Sequence, residues 1–385
     1  MDTIKIFLHK VLRKFIYLIS LLIKVKDNRI FFDSFLGKQY SCNPKYITEY
    51  LLKNYPNKYE IVWNLNNKQL NISSKIIKVK PYTLKYFYYF FSSKIFVTNL
   101  GIKSFLTKKN TQYRIETWHG GGAYKKVDLD IFKSRYRKFK SVLFGESIDC
   151  YISSCQKFSD NMSNAQMVRI NKFFGFGMPR NDILFNSKLQ EEIKNKILRK
   201  YCINNKKIVL YAPTWRDDKR KQAVESLNNV IQEINKISKN KEYILLCRSH
   251  HDGSLYTKSN DTKFINVTNY PDMQELLCAA DILITDYSSC MWDFSLMYKP
   301  CFIYATDIDQ YKQERDFYTP MSEWPFQIAT NTDELISNIL NFNQKEYVEK
   351  VKQHHKALGS FEDGRACERV CKLIEDIIDG KVQKE

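Results

Sequence analysis

The sequence is poor in the residues and spacings that mark several common classes of protein. Its 385 residues include 12 Gly and nine Pro, too few for a collagenous or linker-like chain, and no repeat of solenoid or propeller length occurs. The ten Cys never form C-x-x-C, and most lie within apolar runs. We therefore expect reduced core cysteines in a cytoplasmic protein and no disulfide framework.

The N-terminal region lacks a hydrophobic run of membrane-spanning length. The apolar run at residues 15–23 is far shorter than the ~20 residues of a transmembrane helix, and no small-residue cleavage site follows it. Within residues 1–26, apolar residues instead recur at helical spacing with Lys and Arg largely between them: Ile4, Phe7, Leu8, Val11, Phe15, Leu18 and Leu22. This pattern predicts an amphipathic helix on an anionic membrane surface. The alternative is a core-packing helix with a solvated basic face.

The charge balance predicts an anionic partner. Lys plus Arg number 61 against 42 Asp plus Glu, which gives a formal charge of +19, and such an excess attracts nucleic acid, an anionic membrane or a phosphate-rich substrate. The 25 Tyr, 25 Phe and five Trp exclude a fully disordered chain. No recognisable nucleic-acid-binding module occurs, so we expect no nucleic-acid partner.

Short β-rich runs alternate with helical stretches after residue 28. Strands are predicted at residues 29–33, 60–64, 75–79, 94–98, 113–117, 150–153 and 172–176, and then at 207–211, 243–247, 264–267, 282–285 and 301–304. Helices are predicted at 44–54, 83–91, 224–238, 273–279, 289–297 and 365–378. This alternation indicates an α/β protein with two doubly wound parallel sheets, joined near residues 177–181. Ligands of such sheets bind beyond the carboxyl ends of strands.

The first polar motif, ETWHGGGAYKK at residues 116–126, directly follows a predicted strand. His119 opens the loop, and histidine, with an unperturbed pKa of about 6.5, suits a general base at neutral pH. Three glycines allow close approach of the backbone to a ligand, and two lysines add positive charge: Gly120, Gly121, Gly122, Lys125 and Lys126. The alternative is a tight turn with an incidental His. A serine hydrolase is excluded because no G-x-S-x-G occurs; a P-loop and G-x-G-x-x-G are also absent.

Two further motifs end predicted strands in the second half. In LLCRSHHD, residues 245–252, Arg248 offers a planar fork for phosphate oxygens and His250 could donate to a leaving phosphate. No third ligand stands at a diagnostic spacing from the adjacent His pair, so we expect no metal site. In residues 283–300, Asp286 ends a strand, and Ser288 and Ser289 are predicted to cap a helix whose N-terminus suits phosphate. Ordinary N-capping is the alternative there.

Taken together, the ordered motifs WHGGGAYKK, GMPRND, YAPTWRD, RSH and TDYSS, with KPCFIY and DIDQY downstream, resemble the CDP-glycerol glycerophosphotransferase family of teichoic acid primases and polymerases and related capsule polymerases. The likeness covers about residues 28–318. It implies two Rossmann-like domains facing across a cleft, the GT-B arrangement. Two motifs depart from the family pattern: H-G-T-P-L-K becomes His119 followed by Gly120-Gly121-Gly122-Ala-Tyr-Lys, and R-P-H-P becomes Arg-Ser-His-His.

The resemblance also implies domain boundaries and residue roles. The domains would be a membrane-surface helix at 1–28, an acceptor domain at 29–178, a CDP-donor domain at 179–355 and a C-terminal helix at 356–385. His119 would be the general base that deprotonates the acceptor hydroxyl, and His250 would contact the donor diphosphate and the leaving CMP. Asp286 would orient the serine loop. The other donor-binding candidates are Arg248, Arg216, Thr214, Ser288, Ser289 and Arg180, the last at the domain hinge.

The implied reaction is transfer of an alditol phosphate, glycerol phosphate or ribitol phosphate, from a CDP-alditol donor to a hydroxyl of a growing teichoic acid-like or capsular polymer. The acceptor would be a polymer or a lipid-linked glycan, and CMP would be released. No cofactor is required by this chemistry, although magnesium could assist. The family implies a peripheral protein at the cytoplasmic face of the cell membrane. The alternative function is a GT-B glycosyltransferase that uses a nucleotide sugar in surface polysaccharide synthesis.

Overall fold

The computed structural model describes residues 2–67, 69–122, 124–214, 220–237, 242–248 and 264–382. The chain divides into two compact units. Unit 1 comprises Met1–Gly120, Lys126–Asp182 and Ser360–Glu385, and unit 2 comprises Gly121–Lys125 and Ile183–Gly359. The C-terminal segment thus belongs to unit 1, and five residues after Gly120 belong to unit 2.

Unit 1 is built on a parallel sheet of seven strands. Its elements are α1 (Asp2–Leu21), β1 (Lys26–Asp33), α2 (Cys42–Asn54), β2 (Glu60–Asn64), β3 (Ile76–Val79), α3 (Leu84–Ser92), β4 (Ser93–Thr98), β5 (Tyr113–Glu116), α4 (Arg135–Ser147), β6 (Cys150–Ile152), α5 (Gln156–Gln166) and β7 (Phe173–Phe174). The strand order is β3-β2-β1-β4-β5-β6-β7. The chain direction across the sheet therefore reverses between β1 and β4, which defines a topological switch point.

Unit 2 repeats this plan with six strands. Its elements are α6 (Ser187–Lys200), β8 (Lys206–Tyr211), α7 (Arg220–Ile237), β9 (Glu242–Cys247), β10 (Phe264–Asn266), α8 (Met273–Ala279), β11 (Ile282–Thr285), α9 (Cys290–Ser295), β12 (Cys301–Tyr304), α10 (Ile308–Glu314), β13 (Gln327–Ala329), α11 (Thr332–Leu340) and α12 (Gln344–Ala357). The parallel strands follow the order β10-β9-β8-β11-β12-β13. The switch point of this sheet lies between β8 and β11.

The cores explain why near-continuous apolar runs form these strands. In β1, Ile30 and Phe32 pack into one core cluster while Phe31 packs into another, because successive side chains of a strand point to opposite faces. A sheet buried on both faces therefore needs an apolar residue at every position. The last helix, α13 (Ala366–Ile378), buries Val370 and Ile374 in the first of these clusters.

The predicted α/β class with two doubly wound sheets is confirmed. Several element ends differ from the sequence prediction. The helix predicted at 289–297 is the six-residue α9, because its chain continues in i→i+3 turns such as Met297 N to Phe294 O. Strand β13 was missed since its run Gln327–Ala329 is short and begins with a polar residue. The ten cysteines are all free thiols, and only Cys202 is exposed.

Helix α1 packs on the rest of unit 1 through a stripe that contains His9, Arg13 and Ile16, the last of which contacts the core cluster of Phe31. His9 contacts the rings of Tyr136 and Phe139 in α4, and the Arg13 guanidinium donates to the carbonyl oxygens of Ser104 and Leu106. The predicted apolar face is exposed: Ile4, Phe7, Leu8, Val11, Phe15, Leu18 and Leu22. The alternative of a helix that packs its apolar face into the core is therefore wrong. Among the described residues, no helix combines the length and apolar character needed to cross a membrane.

Candidate active site

His119 lies three residues beyond the end of β5, in unit 1. Its Nδ1 lies 2.8 Å from the backbone oxygen of Asn99, which follows β4. A carbonyl oxygen only accepts, so Nδ1 carries the proton and the lone pair of the neutral ring is on Nε2. The Trp118 and Phe35 rings lie 4.3 and 5.6 Å from the His119 ring, centroid to centroid. The ring is therefore held in one tautomer with Nε2 able to accept a proton.

The backbone just before His119 is strained and tied down on both sides. Trp118 has a φ of +52°, a conformation that is unfavourable for a residue with a side chain. Its N–H donates to Glu116 Oε1 at 3.1 Å, and its carbonyl oxygen accepts from Asn43 Nδ2 at 3.0 Å. Asn43 lies at the start of α2 and is fully buried. These two contacts fix the position from which His119 projects.

Glu116 is the centre of a buried polar network. Its Oε2 accepts from Thr98 Oγ1 at 2.7 Å, from the Gly101 N–H at 3.1 Å and from an Arg114 nitrogen at 2.9 Å. The Arg114 and Glu116 side chains are 1% and 0% exposed. A buried ion pair with this many additional hydrogen bonds holds the carboxyl ends of β4 and β5 together.

Arg180 lies beside His119 and helps to position the His119 backbone. It is buried, and one guanidinium nitrogen donates to the His119 carbonyl oxygen at 2.7 Å and to Cys42 Sγ at 3.2 Å. Its backbone N–H donates to Asn43 Oδ1. The structure thus brings Arg180 and His119 together within unit 1, and the donor-binding role given to Arg180 stays a prediction.

The rest of the GMPRND motif anchors the C-terminal segment. The Asp182 carboxylate accepts from the backbone N–H groups of Ala366 and Cys367 at 2.9 and 2.7 Å, so it caps the first turn of α13. Burial raises the pKa of Asp182, and these hydrogen bonds oppose the rise. Asn181 Nδ2 donates to Glu362 Oε1 at 3.0 Å.

The glycine loop packs against a buried tryptophan. A Cβ placed on Gly121 would lie 2.3 Å from Trp292 Cδ1, and a Cβ on Gly122, whose φ is +72°, would lie 2.5 Å from Tyr124 Cε2 and 2.7 Å from Trp292 Cε3. Trp292 is fully buried. The close approach predicted from these glycines is therefore made to the protein's own Trp292 in unit 2. Gly120 is buried in unit 1.

We expect Gly121→Ala to destabilise the protein by about 1–3 kcal/mol, because the added methyl group overlaps Trp292 and a buried ring has no room to move. Urea unfolding of the variant measures the change in free energy. Trp292→Phe and the double variant complete a cycle. A double variant whose loss equals the sum of the two single losses would contradict steric conflict with Trp292 as the cause.

Tyr124 and Lys125 hold the end of this loop within unit 2. The Tyr124 hydroxyl lies 2.9 Å from His354 Nε2, with the two rings stacked at 5.7 Å. Burial lowers the pKa of His354 to about 4, so the ring is neutral near pH 7. Lys125 pairs with Phe317 in an isolated antiparallel bridge. Lys126, the next residue, belongs to unit 1.

In unit 2, three donor-site candidates lie at the carboxyl ends of adjacent strands. Thr214 follows β8, Arg248 follows β9 and Asp286 follows β11, and these strands are neighbours in the sheet. Asp286 Oδ1 accepts from the Thr214 N–H and hydroxyl at 2.7 and 2.5 Å and from the Tyr287 N–H at 2.5 Å. Asp286 thus joins two loops at the switch point, where ligands of such sheets bind.

Arg248 and the two serines complete the described part of this edge. An Arg248 guanidinium nitrogen donates to the Tyr270 carbonyl oxygen at 3.0 Å, and burial lowers the pKa of Arg248 while Asp272 opposes this. Ser288 Oγ accepts weakly from the Cys290 N–H at 3.5 Å. Ser289 is the N-cap residue of α9 but makes no side-chain capping bond, so the predicted capping by Ser289 is wrong.

His250 and Arg216 lie outside the described residues, and their roles stay predictions. Among the residues that are described, no group of three or more His, Cys, Asp or Glu is arranged to hold a metal ion. Sequence reasoning missed Asn43, Trp292 and His354, whose partners are distant along the chain. The run of three glycines was the one sequence signal for these residues. It indicates that another group lies close to the loop backbone, but it does not identify Trp292 as that group.

The fold and these side chains define a two-unit α/β protein with polar groups at the carboxyl edge of each parallel sheet. Residues 15–376 match the family described as CDP-glycerol:poly(glycerophosphate) glycerophosphotransferase, and the chain therefore belongs to that family. The family resemblance predicted from the motifs is confirmed, as is the assignment to a transferase class. The roles of the individual residues stay predictions.

Known relatives are teichoic acid enzymes. The chain is 32% identical to a teichoic acid poly(glycerol phosphate) polymerase of Staphylococcus epidermidis over 91% of its length, but spans only 51% of that polymerase. It is 30% identical to the teichoic acid glycerol-phosphate transferase of Staphylococcus aureus, with 90% of this chain and 92% of the transferase covered. A solved structure of the wall teichoic acid polymerase TagF matches with a TM-score of 0.84, 30% identity and coverage of 99% and 98%.

Proposed function

We propose that the protein transfers an alditol phosphate from a CDP-alditol to a hydroxyl group of a teichoic acid-like acceptor and releases CMP. The observation that carries the proposal is the hydrogen bond between His119 Nδ1 and the Asn99 carbonyl oxygen in a chain of the glycerophosphotransferase family. It leaves the basic nitrogen of the neutral ring at Nε2, as a general base requires. The named activities of both relatives support the same reaction.

In this mechanism the acceptor hydroxyl attacks the phosphorus that bears the alditol. His119 Nε2 takes the hydroxyl proton as the new O–P bond forms and the bond to the CMP phosphate oxygen breaks. Negative charge spreads over the phosphoryl oxygens. Arg248, at the carboxyl end of β9, is proposed to stabilise this charge through its guanidinium group. His250 and Arg216 are proposed to contact the donor diphosphate, on the family resemblance alone.

The decisive experiment is product analysis with a panel of donors. The purified chain is incubated with CDP-glycerol, CDP-ribitol and nucleotide sugars, together with a short glycerol-phosphate acceptor, and CMP release and product mass are measured. CMP release with one of the two CDP-alditols and an acceptor extended by one or more alditol phosphates is the expected result. Turnover of a nucleotide sugar alone would contradict the proposal and favour a glycosyltransferase. Reactions with EDTA and with added magnesium test the expectation that no cofactor is required.

We further propose that α1 places the protein on an anionic membrane surface, as a peripheral protein. Phe7 and Phe15 are 65% and 61% exposed, and Lys5, Lys10 and Lys14 on the same helix are exposed as well. An apolar strip flanked by lysines suits the boundary between headgroups and acyl chains. Each cation near an anionic surface adds about 1 kcal/mol.

Phe7→Ala/Leu8→Ala is expected to lower partitioning into phosphatidylglycerol vesicles at least tenfold, since burying each side chain contributes roughly 1.5–3 kcal/mol. Vesicle sedimentation measures the bound fraction. Phe185→Ala/Leu84→Ala removes the same residue types from exposed positions of the same chain outside α1 and should leave partitioning unchanged. Equal partitioning of both double variants would rule out α1 as the membrane contact.

A further inference from the structure

Unit 1 contains a pocket of about 300 Å³ at the switch point of its sheet. Leu36, which follows β1, and Leu100, which follows β4, line it. Helices α1 and α4 supply walls through Arg13 and Lys140. The connections that follow β1 and β4 run in opposite directions across the sheet, and doubly wound sheets bind ligands at such a place.

The pocket has an excess of positive charge. Lys103, Arg137 and Lys140 line it, and none of the three forms an ion pair within the described part of the chain. The acidic residue on its wall, Asp128, accepts a hydrogen bond from Gln166 Nε2 at 2.8 Å. Burial lowers the pKa of Lys140, the neighbouring Arg137 and Lys103 lower it further, and Asp128 opposes this. Cations held this close repel one another unless an anion joins them.

Two other arginines of the pocket are already engaged. Arg13 donates to the Ser104 and Leu106 carbonyl oxygens, and Arg114 pairs with Glu116. They hold the walls in place, so the three cations on the α4 wall and the loop after β4 are the groups that a ligand would meet.

The geometry points to this pocket as the binding site for a phosphate group of the acceptor. The inference rests on the proposed function, in which the acceptor is a phosphate-bearing polymer. Trp118 lines the pocket, and its ring is 4.3 Å from the His119 ring. Leu100 is adjacent in sequence to Asn99, which holds His119 Nδ1. A phosphate bound here would hold the acceptor beside the proposed base.

Two phosphate groups of such an acceptor carry the negative charge that the three cations would bind. One is the phosphodiester of the growing chain, and the other is a diphosphate that joins the chain to a lipid. Arg13 lies on α1, whose exposed apolar face is the proposed membrane contact, so either phosphate could reach the pocket from a lipid-anchored acceptor.

The test is the double variant Arg137→Gln/Lys140→Gln in the full chain. Its matched control is Arg135→Gln/Lys138→Gln, which removes the same residue types, three positions apart, from exposed sites on α4 outside the pocket. CMP release is measured at saturating CDP-alditol while the acceptor concentration is varied. One acceptor is a soluble glycerol-phosphate oligomer and the other is the same oligomer on a lipid diphosphate.

We expect the pocket variant to raise the acceptor KM at least tenfold, while the control raises it less than twofold and the donor KM is unchanged in both. A rise with both acceptors assigns the chain phosphodiester, and a rise with the lipid-linked acceptor alone assigns the diphosphate. The charge-retaining variant Arg137→Lys/Lys140→Arg should keep the acceptor KM within about threefold of the wild-type value. Equal acceptor KM values in the pocket and control variants, or a rise in donor KM instead, would overturn the inference.

Failure of the proposed function is distinguishable from failure of this site. If the wild-type chain releases CMP from no CDP-alditol, the proposed function fails. Binding of the soluble and the lipid-linked oligomer to the wild-type, pocket and control proteins, measured by calorimetry, then still tests the pocket. At least tenfold weaker binding of either acceptor by the pocket variant alone supports the site, and equal binding of both acceptors by all three proteins refutes it.

Discussion

His119→Ala is expected to lower the rate of alditol-phosphate transfer by about 10²- to 10⁴-fold, the usual contribution of a positioned general base. The substitution removes the ring whose Nδ1 is held by the Asn99 carbonyl oxygen and with it the nitrogen that would take the acceptor proton. CDP binding should be nearly unchanged, because the donor-site candidates at the β8, β9 and β11 ends belong to unit 2. CMP release and calorimetric titration with CDP measure the two quantities.

His119→Gln provides the comparison that separates a base from a structural role. Glutamine can donate to the same carbonyl oxygen but has no basic nitrogen, so it should be as inactive as alanine. Added imidazole should restore part of the activity of His119→Ala, and the acidic limb of the pH–rate profile that reports the base should be lost in both variants. Retained turnover in either variant would refute His119 as the base.

Glu116→Gln is expected to lower the free energy of unfolding by about 3–5 kcal/mol, since it leaves the buried Arg114 charge without its partner. Glutamine also replaces one carboxylate oxygen by an amide nitrogen, which cannot accept a hydrogen bond. Either the Trp118 N–H, which donates to Oε1, or the Gly101 N–H, which donates to Oε2, therefore loses its acceptor. Since Trp118 is held in a strained conformation partly by Glu116, transfer activity should fall with stability. Urea unfolding and the CMP assay measure both effects.

Glu349→Gln is the matched control for this prediction. Glu349 forms an ion pair of 2.8 Å with Lys352, but the two side chains are 63% and 53% exposed. Surface pairs of this kind contribute about 0–1 kcal/mol. A loss of stability in Glu116→Gln no larger than in Glu349→Gln would show that the buried network does not hold the carboxyl ends of β4 and β5.

Much of the fold could be predicted because its signals are local. The strands Ile282–Thr285 and Cys301–Tyr304 have the predicted bounds, since each is a short apolar run that ends at a polar or aromatic boundary. Strand Gln327–Ala329 could not be found in this way. This strand is stabilised by its pairing with β12, and its own three residues do not form a recognisable strand pattern.

The candidate site was only partly predictable for the same reason. His119, Asp286 and Arg248 could be selected because each follows a predicted strand, and the carboxyl ends of parallel strands share one edge. The contacts that they make could not be predicted, since sheet order brings Asn99 to His119, Thr214 to Asp286 and Tyr270 to Arg248. The glycine run is the clearest example. The sequence indicates that some group lies close to these glycines, but it does not show that this group is the Trp292 side chain.

The sequence by itself determined the α/β class, the family and the apolar face of α1, because these depend on residue order and on helical or strand periodicity. Only the tertiary structure decided which face of α1 packs on the protein, that Glu116 and Arg114 are buried together, and that three cations converge on a pocket beside His119. Such contacts join residues from separate elements. These contacts depend on which strands and helices become neighbours in the folded protein, and no local sequence pattern specifies those neighbours.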